Sequence, residues 1–85
     1  MTHELKCWPE YFKDIWSRDK CFEIRENDRD FKVGDVLRLR EYDPHGNTFT
    51  GADKHYSGRE VSREVMYITD FADGLRDGYV CMGLK

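Results

Sequence analysis

The chain has no long hydrophobic run. Its apolar stretches extend over only a few residues, far short of the roughly 20 that carry a helix across a bilayer, and its first residues lack the apolar core of a secretory signal. The expectation is a cytoplasmic protein with no membrane association. Proline is scarce, with two among 85 residues, and the seven glycines are dispersed, so neither a low-complexity segment nor a linker is visible. No repeat is evident, and residues 1–85 read as a single domain, near the lower size at which one core is stable without staples.

Cysteine is equally sparse: Cys7, Cys21 and Cys81 form no Cys-x-x-Cys pair and cannot all pair within one chain. Each lies among apolar neighbours, where a free cysteine behaves as a small buried hydrophobe. His3, His45 and His55 lack zinc-site spacing, so no metal and no cofactor is expected. These histidines read as exposed loop or terminal residues, with a nucleobase contact as a lesser role for His55. Excess positive charge is missing too, since 14 lysines and arginines face 17 acidic residues, for a net charge of −3. A protein that coats duplex nucleic acid normally needs a strongly basic surface. A local basic cleft remains compatible with this balance.

What is present centres on Lys20-Cys21-Phe22-Glu23-Ile24-Arg25. As a strand it points Phe22 and Ile24 one way, onto a packed face, and Cys21, Glu23 and Arg25 the other. Glu23 and Arg25 are then roughly 6.5 Å apart along the backbone, within reach of an ion pair. Before this strand, Trp8, Tyr11, Phe12, Ile15 and Trp16 follow the i, i+3, i+4, i+7, i+8 series of one helical face. Pro9 suits the first turn of such a helix, and Glu10 lies near the positive end of its dipole. Trp8, Tyr11 and Trp16 are alternative aromatic platforms for a base, although by spacing they are core residues first. Lys6, Arg18, Lys20, Arg25 and Arg29 all lie in or beside this helix-strand unit, whereas Asp70, Asp73 and Asp77 gather elsewhere.

In chain order, the expected elements are a strand over residues 2–7, the helix over 8–17, a strand over 20–26 and a polar turn over 27–30. The Val33-Gly34-Asp35 turn leads into a strand over 36–42, with glycine supplying an unusual backbone angle and aspartate capping the turn. Residues 43–57 have loop composition and read as the least ordered segment. Its length marks it as functional or mobile. Phe49, His55 and Tyr56 provide aromatic surface there. A long strand over 59–70 should place Val61, Val65 and Tyr67 on one face and Met66 and Ile68 on the other, and residues 79–84 close the sheet. The fold class is α+β, mainly β, with about five strands and one principal N-terminal helix.

The succession of short helix, tight turn and charged strand resembles the ASCH domains of the PUA-like superfamily. Their pattern Gly-x-Lys-x-x-Glu-x-Arg reads here Arg18-x-Lys20-x-x-Glu23-x-Arg25. Asn27-Asp28-Arg29, Val33-Gly34-Asp35, Tyr56-Ser57-Gly58-Arg59 and Gly78-Tyr79-Val80 extend the likeness to a small bacterial and phage branch of unknown function. The resemblance implies a small β-barrel whose cleft between helix and barrel binds RNA, single-stranded nucleic acid or a nucleotide-like ligand. Lys6, Lys20, Glu23, Arg25, Arg29, Tyr56 and Arg59 are the candidate ligand-binding residues. Glu23 can accept from an amino or imino group, while Lys20 and Arg25 can donate to carbonyl or phosphate oxygens.

Two other readings stand beside this one: a protein-interaction module, such as a phage-encoded modulator of a host protein, and an enzyme. One ASCH branch hydrolyses N4-acetylcytidine with a lysine, a threonine and a glutamate. The lysine aligns with Lys20, but the threonine position is Glu23, and a short turn replaces the insertion that carries the family's glutamate. Lys20 and Glu23 would be the catalytic candidates, with Glu23 a general base for water. The balance leans away from catalysis.

Overall fold

The computed structural model describes every residue from Met1 to Lys85. In chain order the elements are β1 (Thr2–Cys7), α1 (Pro9–Trp16), β2 (Phe22–Glu26), β3 (Val36–Tyr42), β4 (Tyr56–Thr69) and β5 (Tyr79–Leu84). They form one mixed five-stranded sheet in the order β1-β3-β4-β5-β2. β1 lies parallel to β3, and all the other pairs are antiparallel. The long β4 pairs with β3 along its first part and with β5 along its second. The architecture is therefore mainly β with one short helix.

The sheet does not close into a hydrogen-bonded barrel. β1 and β2 are its two edges and share no ladder. Arginine side chains cross the gap instead: Arg25 Nη2 donates to the carbonyl of Lys6, and Arg29 Nη1 to that of Glu4 at 2.7 Å. These guanidinium groups occupy carbonyls that a backbone ladder would use.

The core lies on the inner face of the curved sheet. Leu5 and Cys7 of β1, Leu37 and Leu39 of β3, Val65 of β4 and Val80, Met82 and Leu84 of β5 meet Phe12, Ile15 and Phe31 there. Strict alternation in β1, β3 and β5 produces this face. β4 departs from the expected alternation because of a register shift between Val65 and Tyr67. A bulge of this kind adds a residue to one strand. Ile68 therefore packs against the core while Tyr67 faces out.

The helical face is also wider than its contact. α1 packs mainly on β3, and only Phe12 and Ile15 are buried. Trp8, Tyr11 and Trp16 remain about half exposed, against the expectation of a fully packed stripe. Among the cysteines, Cys7 is buried, Cys81 is half-buried on the alternate face of β5, and Cys21 is exposed in the turn before β2.

That turn explains an anomaly in the sequence. Arg18 adopts φ 69°, the left-handed conformation for which glycine is the usual choice. Hydrogen bonds from Ser17 N to Lys13 O, Arg18 N to Ile15 O and Lys20 N to Asp14 O hold it there. Arg18→Gly should relieve strain of about 1 kcal/mol, partly offset by glycine's greater freedom in the unfolded chain. A small rise in the denaturant midpoint at unchanged slope would confirm this; a fall would show that the arginine side chain contributes more than its backbone costs.

The Val33-Gly34-Asp35 turn has the expected build, with Gly34 at φ 94° and Asp35 Oδ2 accepting from Lys32 N. Asp35 also accepts from His3 Nε2 at 2.8 Å and from the terminal amine at 3.2 Å. His3 is thus a buried partner against Phe31, rather than an exposed terminal histidine, because it alternates inward with Leu5 and Cys7. Residues 43–57 are likewise more organised than their composition suggests. Buried Asp43 accepts from the backbone N–H groups of His45, Asn47 and Thr48. His55 Nδ1 bonds Asp43 O, and the rings of His55 and Tyr56 pack against Tyr42.

Asp35 is held at about 2 from an ordinary 3.8, first by the His3 hydrogen bond, with the Lys32 amide and terminal amine helping against burial. Asp43 is also held below the usual range, chiefly by the Thr48 hydroxyl and the His45 amide. A depressed carboxylate stabilises the fold fully above its unfolded value, and that contribution is lost as pH falls through the folded value. The melting temperature should therefore drop between about pH 4 and pH 2. The drop should be shallower in Asp35→Asn; an unchanged acid profile in that variant would remove Asp35 from the explanation.

Candidate functional site

The central strand shows its faces in the opposite sense to the one its residues suggest. Glu23 is only 4% exposed, whereas Phe22 and Ile24 are 43% and 49% exposed. β2 is an edge strand, and it borders a cleft lined also by residues of β1, α1 and β5. The Glu23 carboxylate is offset by two cations. Lys20 Nζ donates to Glu23 Oε1 at 3.1 Å, and Arg25 Nε to Oε2 at 2.9 Å. Arg25 then reaches β1 through its bond to Lys6 O.

The result is an open cleft of about 590 Å³ along the seam between β1 and β2. Its polar groups are Lys6, Lys20, Glu23 and Arg25, and its aromatic wall is formed by Trp8, Tyr11, Phe22 and Tyr79. Trp8 and Tyr11 lie nearly parallel, with ring planes 22° apart and centroids at 6.4 Å. Lys20 Nζ sits 5.1 Å from the Tyr11 ring centroid and 5.2 Å from that of Phe22. Cation–π contacts thus help hold the ammonium group at the cleft. Glu23 has one negative charge between two positive partners, so the three groups together are net positive.

A second, smaller depression of about 310 Å³ adjoins the cleft and shares Lys6 and Arg25 with it. Arg29 and Tyr56 lie here, together with Glu4 and Arg40. The expected ligand residues therefore fall into two connected places: Lys6, Lys20, Glu23 and Arg25 at the cleft, Arg29 and Tyr56 in its extension. Arg59 lies apart from both. It forks onto buried Glu41, with Nε to Oε1 at 3.0 Å and Nη2 to Oε2 at 3.2 Å, and its guanidinium covers the Phe12 and Trp16 rings. Its visible role is to fasten α1 to the sheet.

Residue patterning did not single out Arg40 or Glu4, because nothing local shows that β1 and β3 place them side by side. Trp8 and Tyr11 carry a signal, their i, i+3 spacing, which ranks a place in the core ahead of their role as aromatic platforms. Cys7 lies at the floor of the cleft, yet burial first, and the Glu23 charge next, push its thiol up to about 11. It stays protonated at neutral pH and is a poor nucleophile there. No group of three or more His, Cys, Asp and Glu side chains converges as a metal site, and no helix is long and apolar enough to cross a membrane.

The chain belongs to the DUF3850 family, described as a domain of unknown function, whose profile matches residues 2–84. It is 31% identical over 75 residues to an uncharacterized 12.9 kDa protein in the GpA 3′ region of Escherichia phage P2. That alignment takes in 88% of this chain and 61% of the phage protein, so the chain spans about three fifths of that relative's length.

Proposed function

We propose that this member of the DUF3850 family is a nucleic-acid-binding module that takes a nucleotide or single-stranded RNA into the cleft between β1 and β2. In this reading the open sheet is a variant of the ASCH, PUA-like barrel, parted along one seam. The supporting observation is the juxtaposition of a net-positive Lys20–Glu23–Arg25 group with the half-exposed rings of Trp8 and Tyr11. A base stacks on such rings for roughly 1 to 3 kcal/mol, whichever base it is. Lys20 and Arg25 retain N–H groups beyond those used on Glu23 and Lys6, and these suit carbonyl or phosphate oxygens. Hydrolysis has less support, because Glu23 stands where the amidohydrolase pattern has a hydroxyl and its oxygens hold two cations.

Titration of labelled RNA, DNA and nucleotides at two salt concentrations tests the reading. Saturable binding that weakens with salt and is reduced in Trp8→Ala supports it. Absence of saturable binding to any of the three would overturn it in favour of a protein partner.

A further inference from the structure

The two guanidinium groups that bridge the seam are spaced by the backbone they bind. Arg25 bonds the carbonyl of Lys6 and Arg29 that of Glu4. These carbonyls are two residues apart on one edge of β1, so the bonded nitrogens are held roughly 6.5 Å apart along the strand. Such a repeat is comparable with that of successive phosphates in an extended single strand. Arg29 makes no ion pair with a carboxylate, and its Nε and Nη2 have no partner within the chain, nor does Nη1 of Arg25. Lys6 Nζ lies over the Tyr42 ring, 4.7 Å from its centroid, and likewise has no carboxylate partner. Arg40 adds a fourth cation beside Arg29; the carboxylate it pairs with, Glu4, is shared with Arg38.

The second depression therefore adjoins the cleft and is lined by four cations, Lys6, Arg25, Arg29 and Arg40, two of them shared with the cleft. Leu5 and Tyr56 are its only apolar lining residues, which suits a charged backbone more than a base. We infer that the ligand extends beyond one nucleotide: the cleft takes a base, Arg25 contacts its phosphate, and Arg29 with Lys6 and Arg40 takes the adjoining phosphodiester. This rests on the nucleic-acid reading above and narrows it from a free nucleotide to an oligonucleotide strand.

Uridine monophosphate and a uridine tetranucleotide, titrated against the intact chain over a salt series, separate the possibilities. The tetranucleotide should bind at least tenfold more tightly, with a slope of log K against log salt steeper by about 0.7 for each additional phosphate contact. Arg29→Ala should remove much of that advantage and one such increment of slope, with a smaller loss of affinity for the monophosphate than for the tetranucleotide. A thermal melt of the variant checks that it remains folded, and Arg29→Lys, which keeps the charge without the fork, should retain the slope. Equal affinity and equal salt slope for the two probes would overturn the extended ligand while leaving the cleft reading in place. Binding of neither probe would overturn both.

Discussion

Glu23→Ala should destabilise the domain by about 3 kcal/mol, at the lower end of the range for removing one partner of a buried charge pair. The carboxylate is almost fully enclosed, while its partners Lys20 and Arg25 are 19% and 26% exposed at their side chains. Removing it leaves two like charges facing each other across the space it filled. Partial access to water lets each cation recover some hydration, which keeps the cost near the lower bound. Even so, this is a large fraction of the 5 to 15 kcal/mol that typically stabilises a domain. Glu23→Gln should cost less, since it fills the volume and keeps an acceptor for one donor. Denaturant melts of the two variants provide the measurement. A loss below about 1 kcal/mol in Glu23→Ala, the usual value for an exposed pair, would show that the carboxylate is not the keystone of the seam.

The placement of Glu23 also shows where sequence reading reached and where it stopped. Strand composition located β1, β3 and β5 close to their observed bounds, though it did not give the inward face of β1. In β2 alternation was present, but alternation alone does not say which face is covered. The usual preference for burying Phe22 and Ile24 over Glu23 gave the wrong sign. The deciding contacts come from Lys20, across the turn, and from β1, whose Lys6 carbonyl anchors Arg25. His3 was misplaced for a similar reason: its partner Asp35 lies 32 residues away and meets it only through parallel pairing of β1 with β3. Helical periodicity correctly found α1 yet overstated its buried face, since one strand supports too narrow a contact for five large side chains. A bulge shifted β4 between Val65 and Tyr67, and nothing in Val65-Met66-Tyr67 announces it.

The same chemistry that gives Glu23 a structural role predicts a division of labour with Arg25. Arg25→Ala leaves Glu23 still paired to Lys20, so its stability cost should be smaller, about 1.5 to 2 kcal/mol, the lower part of the range for hydrogen bonds to a charged group. Its effect on binding should be the larger one. Arg25 is the only side chain common to the Glu23 pair, the seam contact with β1 and both depressions, and losing a charge-assisted contact there should weaken RNA binding by about 1 to 3 kcal/mol, or roughly fivefold to more than a hundredfold. Glu23 and Arg25 touch, so their effects should not add: the double alanine variant should be more stable than the two single losses predict, by about 0.5 to 3 kcal/mol. Binding titrations run beside melts of both single variants and the double variant separate site from scaffold. If Arg25→Ala destabilised the domain as severely as Glu23→Ala but bound RNA normally, the arginine would belong to the framework of the seam, and the site would lie elsewhere.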